Sequence, residues 1–437
     1  MKELLFRTFN FIYTKLFQEK ASLDIKVFIN NVLNIALGTG FMALFNLVSQ
    51  LIIGRVLGPE DYGKFTLIIS IGLLFASPLH FIGIAMVKYN SEENETTRQS
   101  SIISTSFVLL LSFGIVLLVI YLFLSSVIKS AFSIDSDIFN LSIYLFAFYI
   151  LFSFACAILQ GLFRMKKLAF SQFVFGLISL VFLLAGFFIL NTQNYEVAIY
   201  SIILGYIVIT AVIFINNYRF LLCGIHKLWT IRLLRYGVYA FLGGLFVAIN
   251  QNVSKLIINN YMELSDVGIY NAYFITSVNV ATLVGGIITI VLFPTASRYK
   301  NKRAIFDRII KITPLLFLLG LPLLVGLQFI LLIFYGDKYT FTFGSSLLFA
   351  LCGILVVLYT ILGPLMSSVG RKGVKVVAIA QGFLTGLVLS STIILVPLMG
   401  ITGAILGLTM SYGIFCLIII FMRRYFNRSD DEYIASI

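Results

Sequence analysis

The sequence predicts an all-α polytopic membrane protein, with twelve transmembrane helices in two six-helix lobes related by an axis along the membrane normal. Composition predicts the class, since 60% of the 437 residues are hydrophobic and 11% are charged, against about 25% charged residues in soluble domains. Apolar runs of about 20 residues recur, each long enough to cross a hydrocarbon core of about 30 Å as a helix. An internal repeat divides these runs into two halves.

Each span is predicted from an apolar run that ends at charged or turn-forming residues. Six of the seven prolines lie in or at the ends of these runs, where proline frees a backbone carbonyl and allows a helix to bend. In chain order the spans are 30–56, 62–87, 101–128, 138–163, 169–190, 197–218, 236–262, 268–297, 312–335, 344–369, 376–397 and 401–422.

The spans group into predicted domains. Residues 1–29 alternate aromatic or apolar side chains with basic ones, which predicts an amphipathic segment lying on the inner membrane surface. Residues 30–218 form an N-terminal six-helix bundle and residues 236–422 a C-terminal one. Residues 219–235 connect the bundles in the cytoplasm, and residues 423–437 form a cytoplasmic tail.

The distribution of basic residues predicts the orientation. With the N-terminus inside, 26 of the 31 Lys and Arg residues fall on the cytoplasmic side, four fall outside, and Lys255 lies within a span. Because an excess of Lys and Arg marks cytoplasmic loops, both termini are predicted to be cytoplasmic in a multi-pass inner-membrane protein. The net charge of +13 then reflects topology and attraction to anionic membrane lipid, and no nucleic-acid partner is predicted.

The internal repeat pairs residues 41–65 with residues 246–270 at a constant offset of 205 and includes nine identities. Six spans precede the second copy and six begin with it, so the two halves are predicted to be parallel repeats. Each copy breaks an apolar run, and the break is predicted to be an outer-face turn in which Asp caps a helix and Gly allows close backbone approach. These structural turn residues are Asp61, Gly63, Asp266 and Gly268.

A polar stripe runs through the repeated spans. Asn46 and Gln50 lie one turn apart, while Gln251, Lys255 and Asn259 share one helix face. At the offset of 205, Asn46 matches Gln251 and Gln50 matches Lys255. These five residues are predicted to line a substrate cavity, since polar groups within a membrane must find partners, water or substrate. The alternative is that they are hydrogen-bonded packing contacts between helices.

Three phrases follow or end predicted spans: RVLGPEDYGKF (55–65), SDVGIYNAY (265–273) and VLFPTASRYK (291–300). They resemble the polysaccharide-transporter family of the multidrug/oligosaccharidyl-lipid/polysaccharide exporter superfamily. The resemblance implies a flippase that moves undecaprenyl-pyrophosphate-linked oligosaccharide units to the outer leaflet for O-antigen, capsule or exopolysaccharide assembly, by alternating access between two lobes. It also implies a monomer that works with a polysaccharide polymerase and chain-length machinery. Relatives often carry an acid just before the basic residue of the seventh span, where this chain has Ser254.

Other functions stay open at this point. They are a drug or cation exporter of the same superfamily, a membrane-embedded polysaccharide polymerase or glycosyltransferase, and a non-transporting scaffold. The outer loops of about ten residues are short for an enzyme that must hold an acceptor, and the sequence has no G-x-x-x-x-G-K-[ST] loop for ATP hydrolysis. The prediction is therefore a transporter and not an enzyme, with no catalytic residue, cofactor or metal.

Overall fold

The computed structural model describes the backbone of residues 23–298, 302–368 and 371–422. It describes side chains for residues 40–237, 241–289, 303–368 and 373–422. Nearly all of the predicted surface segment 1–29, and the predicted tail 423–437, lie outside the described residues. Within these ranges the regular structure is entirely helical, which confirms the predicted all-α class.

Thirteen α-helices follow one another along the described parts of the chain. A 3₁₀ turn (Ser77–Leu79) joins α1 to α2, and π-helical turns follow α6 (Ala185–Ile189) and α9 (Ile275–Asn279). The helices are α1 (Leu23–Ala76), α2 (His80–Glu92), α3 (Thr96–Phe123), α4 (Ser125–Ala131), α5 (Ser136–Gly161), α6 (Met165–Leu184), α7 (Tyr195–Leu221), α8 (Lys227–Tyr261), α9 (Leu264–Phe274), α10 (Val280–Arg298), α11 (Lys302–Tyr335), α12 (Phe343–Ser367) and α13 (Arg371–Phe421).

The helix α1 reverses direction at Gly58. This glycine has φ 76° and ψ 177°, a left-handed conformation that side-chain-bearing residues rarely adopt. The hydroxyl of Tyr62 donates a hydrogen bond to Oε1 of Gln50 at 2.8 Å, although twelve residues of straight helix would separate them by about 18 Å. Since only a hairpin brings these side chains together, α1 consists of two antiparallel segments.

The helix α13 contains a second hairpin. Gly400 has φ 59° and ψ −137°. A Cβ atom on Gly403 would overlap the backbone of Leu395, and one on Gly407 would lie 3.1 Å from Cβ of Ser391. These close approaches place the two halves of α13 side by side. Both reversals fall at predicted boundaries, between spans 1 and 2 and between spans 11 and 12.

Ten helical segments of the described residues are long and apolar enough to cross a membrane. Two of them, Gly40–Glu92 and Gly373–Phe421, contain 53 and 49 residues and hold the two hairpins. The surfaces of the ten segments carry many exposed apolar side chains, such as Phe123 on α3 and Leu318 on α11, at 84% and 70% exposure. A water-facing surface would not tolerate this density of apolar groups. The chain is a multi-pass membrane protein.

The first turn after Gly58 shows why the chain forms a helix there. Pro59 stands at the start of the new segment, where its missing N–H needs no helical partner. Glu60 and Asp61 follow in the first turn, where carboxylates interact favourably with the helix dipole. Asp61 accepts a hydrogen bond from Nζ of Lys64 at 2.8 Å, and Glu60 lies 3.5 Å from the same atom.

The matching turn in the second copy uses its acid differently. Oδ2 of Asp266 accepts a hydrogen bond from the backbone N–H of Glu263 at 3.2 Å. Glu263 directly precedes α9, so Asp266 caps this helix from its third position, in the manner of a capping box. The two equivalent acids therefore lie in equivalent first turns, but only Asp266 makes the predicted capping contact.

The two turn glycines lie against each other's helix in a reciprocal contact. A Cβ atom on Gly63 would overlap the carbonyl group of Leu264, and a Cβ atom on Gly268 would overlap the carbonyl group of Pro59. Pro59 and Leu264 are themselves related by the offset of 205. The same contact is thus made twice with the roles exchanged, which is the property of a two-fold relation.

The described chain divides into two compact units. The first runs from Leu37 to Asn271, and the second contains residues from Ala272 onward together with the start of α1. The core of the first includes Phe175, whose ring stacks on Tyr206 at 4.9 Å. The second has a core centred on α11 and α12. The boundary at 271/272 lies within α9, whereas the predicted bundles meet at 219–235, so those two six-helix bundles remain a prediction.

Candidate substrate-binding site

A buried hydrogen-bond network joins three polar side chains in the first compact unit. Tyr62 donates to Oε1 of Gln50 at 2.8 Å and accepts from Nδ2 of Asn271 at 3.0 Å. All three residues are less than 8% exposed. Gln50 and Tyr62 come from the two segments of α1, and Asn271 from α9. The network fastens the first copy of the repeated hairpin to the second.

The repeat-related positions of the polar stripe have matching exposure. Asn46 and Gln251 are both exposed, while Gln50 and Lys255, one turn further along, are 7% and 8% exposed. Equivalent residues in the two copies therefore lie at equivalent depths. Each copy presents one accessible amide with a buried polar group behind it.

Lys255 is buried inside the first compact unit. A lysine near a helix end can extend its ammonium along the surface toward water, but such a side chain stays accessible, whereas Lys255 is only 8% exposed. Holding a lysine at the centre of a transmembrane helix costs about 2.5–3.5 kcal/mol on insertion scales. The cost makes this position a functional candidate, with its charge one helical turn behind the exposed Gln251.

Several buried polar atoms near this stripe lack a hydrogen-bond partner in the described structure. One turn apart on the second segment of α1 are Oγ1 of Thr66 and Oγ of Ser70, and one turn apart on α8 are Oδ1 of Asn250 and Oγ of Ser254. Buried polar groups are usually satisfied by protein or water. These four atoms lie on the helices that carry the stripe, so buried polar groups of these helices extend beyond the five stripe residues.

Asn259 serves a different purpose from the rest of the stripe. Its Nδ2 donates to the backbone carbonyls of Phe132 and Ser133 at 2.8 and 3.1 Å. The neighbouring Asn260 accepts a hydrogen bond from Oγ of Ser133 at 3.0 Å. Both asparagines thus hold the end of α8 to the turn after α4. For Asn259 this is a hydrogen-bonded packing contact, which was the alternative to lining a substrate cavity.

The structure therefore separates the five predicted residues into groups. Asn46 and Gln251 are accessible, Gln50 and Lys255 are buried behind them, and Asn259 binds a loop. Sequence reasoning missed Tyr62 and Asn271, although both lie inside the phrases RVLGPEDYGKF and SDVGIYNAY. Tyr62 directly precedes the repeated Gly63, and Asn271 lies three residues after the repeated Gly268, so a polar residue close to each repeated glycine was the available signal.

Comparison with known families decides what kind of protein carries this site. The sequence matches the family model described as "Polysaccharide biosynthesis protein" over residues 28–300, more than half of the chain. The chain belongs to this family. The predicted resemblance to polysaccharide transporters is thereby confirmed. No curated protein sequence matches the chain.

Solved structures similar to this polysaccharide biosynthesis protein are transporters. An inward-facing multidrug resistance MATE family transporter of the MOP superfamily has a TM-score of 0.68 at 14% identity, covering 88% of this chain and 94% of that one. An outward-facing structure of such a transporter has a TM-score of 0.61 at 14% identity, with 93% and 98% covered. A MOP superfamily transporter from Pyrococcus furiosus has a TM-score of 0.58 at 13% identity, also with 93% and 98% covered.

The family match gives the chain's family, and the solved structures give its fold, which is that of MATE transporters. At these identities the structural likeness establishes the fold alone. The polysaccharide family assignment supplies the link to glycan assembly.

Proposed function

We propose that this polysaccharide biosynthesis protein is a flippase, which moves undecaprenyl-pyrophosphate-linked oligosaccharide units across the cytoplasmic membrane for surface polysaccharide assembly. The observation that carries the proposal is the matched pair of accessible amides, Asn46 and Gln251, with the buried Lys255 behind the second. A site with accessible amides and one cation suits a ligand that combines sugar hydroxyls with phosphate.

The transport path of this proposal uses twelve membrane crossings. The ten apolar segments become twelve when the hairpins of α1 and α13 are each counted as two. With 26 of 31 basic residues on one side, both termini face the cytoplasm. The two six-helix bundles are the lobes that move during alternating access, and the protein acts as a monomer alongside the polymerase and chain-length machinery.

Lys255 attracts the pyrophosphate or an acidic sugar in this mechanism. The side chains of residues four apart on a helix are about 5–6 Å apart at Cβ, so an anion near Gln251 lies within the field of the ammonium. Two unit charges 8 Å apart interact by about 2 kcal/mol at an effective dielectric constant of about 20. The attraction holds the headgroup but is weak enough to permit release.

The same charge argues against the cation-exporter alternative. A cationic drug beside Gln251 would be repelled by Lys255 with about the energy that attracts an anion. The enzyme alternative needs a place for an acceptor outside the membrane, and the described outer loop between α11 and α12 spans only 336–342. These considerations favour an exporter of an anionic, sugar-bearing lipid.

Deletion of the gene tests this function. In the host, lipid-linked repeat units should accumulate facing the cytoplasm, and surface polysaccharide should be lost. The leaflet is read by whether a membrane-impermeant glycan-labelling reagent reaches the units in intact cells. Complementation with the wild-type chain should restore labelling. Units that reach the outer leaflet at the normal rate without this protein would refute the proposal.

A further inference from the structure

The second compact unit contains a cavity of about 630 Å³ that is separate from the stripe on α1 and α8. It lies among α10, α12 and α13, and its walls include Thr289, Tyr359 and Gln381. A volume of this size falls in the range of ligand-binding pockets, about 300–1,000 Å³. The lining residues within the described part of the chain all belong to this one unit.

A proline breaks the helical hydrogen bonding beside the cavity. Pro364 lies inside α12 and cannot donate a hydrogen bond to the carbonyl of Thr360, one turn earlier. The hydroxyl of Thr289 on α10 donates to that freed carbonyl instead. Gly286 adds space, since a Cβ atom there would meet nothing within 4 Å. The break is thus stabilised across helices while the cavity beside it stays open.

One wall carries a polar pair with spare hydrogen-bonding capacity. The hydroxyl of Tyr359 donates to Oε1 of Gln381 at 2.9 Å. Nε2 of Gln381 has no hydrogen-bond partner in the described structure, and the residue is only 7% exposed. A buried donor without a partner costs about 1–3 kcal/mol. A ligand oxygen in the adjacent cavity would remove this cost.

The remaining polar groups of the wall are hydroxyls that offer acceptor oxygens. Thr360 and Ser367 donate their own protons to backbone carbonyls of Val357 and Gly363, at 2.8 and 3.0 Å. Thr289 does the same toward α12. Their lone pairs remain available to a ligand that brings O–H donors.

Aromatic rings and uncharged side chains complete the chemistry of the described lining. The ring of Tyr359 lies 4.9 Å from that of Phe415, and both residues line the cavity. None of the described lining residues is charged. A ligand with a carboxylate, phosphate or ammonium would lose its hydration there without gaining a counter-charge.

We propose that this cavity binds one uncharged pyranose residue, with a ring oxygen or hydroxyl accepting from Nε2 of Gln381 and a C–H face against the ring of Tyr359. Sugar hydroxyls would donate to the free lone pairs of the wall. A hydrocarbon chain of a lipid would leave Gln381 unsatisfied. Taking this pyranose to be part of the exported oligosaccharide rests on the proposed function, whereas binding itself does not.

Binding of simple glycosides tests the site. The full-length protein in lipid nanodiscs, free of glycoside detergents, is titrated with the methyl pyranosides of glucose, galactose and mannose by saturation-transfer NMR. At least one should bind saturably, and sodium glucuronate should bind at least tenfold more weakly because its carboxylate has no counter-charge. Gln381→Leu, which keeps the size but removes the donor, should weaken the binding about tenfold.

Two pairs of variants control for folding. Ser390→Ala alters an exposed hydroxyl on the same helix and should bind as the wild type does. Gly286→Ala should retain binding, while Gly286→Leu should fill the cavity and abolish it, with thermal stability measured for each variant. Absence of binding by all three glycosides, equal binding of glucuronate, or unchanged binding in Gln381→Leu would overturn the site. Glycoside binding that depends on Gln381, in a protein that fails to move lipid-linked sugars, would refute the flippase while leaving the site intact.

Discussion

At the scale of single residues, Lys255 is the most informative side chain. Its position is repeat-equivalent to Gln50, which is neutral and engaged with Tyr62. The two copies therefore carry different buried polar groups at this position, an amide in the first and a cation in the second. This difference breaks the symmetry of the repeat at the position where an anion would be recognised.

Replacement of Lys255 tests its role. Lys255→Ala should lower polysaccharide export about tenfold or more at subsaturating substrate, because about 2 kcal/mol of attraction is removed. Lys255→Arg should keep partial activity, since charge matters more than shape at a diffuse site. Export is measured in a deletion strain complemented at matched protein level.

The matched control is Lys338→Ala, which removes an exposed cation outside the helices. It should export as the wild type does, because surface charges contribute little and are screened. Full export by Lys255→Ala would contradict a role of this lysine in transport and leave it only a structural one.

At the scale of elements, the repeated hairpin explains why the chain breaks an apolar run twice in one way. At Gly63 and at Gly268, a backbone carbonyl group of the other copy occupies the place where a side chain would stand. Membrane helices gain no hydrophobic stabilisation by packing against one another, because the surrounding lipid is equally apolar. They associate instead through close backbone approach of this kind. The turn sequence is therefore a contact surface as well as a turn.

Alanine at either glycine should destabilise the protein. The added Cβ would overlap a backbone carbonyl that cannot rotate away, and overpacking of this kind costs about 1–3 kcal/mol. Gly63→Ala and Gly268→Ala should each lower Tm in scanning fluorimetry at a fixed heating rate. The double variant should lose less than the sum, because both changes strain one interface.

A control for these variants is Gly243→Ala on α8, where a Cβ would meet nothing within 4 Å. It should be neutral or slightly stabilising, since alanine is the better helix former. Tm values for Gly63→Ala and Gly268→Ala equal to that of Gly243→Ala would show that the close approach is not required.

At the scale of the whole molecule, composition and apolar runs were sufficient to predict a helical membrane protein, because lipid requires long apolar helices. The breaks at Gly58 and Gly400 were also predictable from turn residues. The hydrogen bond between Tyr62 and Asn271 was not, since it joins positions 209 apart. Membrane helices are apolar on nearly all faces, so the sequence pattern does not say which face meets protein and which meets lipid.

The cavity beside Gln381 illustrates the same limit. Pro364 is one of the prolines expected to free a backbone carbonyl, but the partner of that carbonyl is Thr289 on another helix. No local pattern links a threonine on α10 to a proline on α12. The sequence could identify the proline that frees a carbonyl but not the groups from other helices that line the space beside it.

Reconstitution tests the flippase most directly. The purified protein is placed in lipid vesicles that carry a fluorescent undecaprenyl-pyrophosphate-linked oligosaccharide in both leaflets. The fraction accessible to an external glycan-modifying enzyme is then followed with time. We expect that fraction to rise beyond the outer-leaflet share in vesicles with wild-type protein, more slowly with Lys255→Ala, and not in protein-free vesicles. An accessible fraction that stays at the outer-leaflet share with the wild-type protein, in vesicles where folding is confirmed by Tm, would contradict the account.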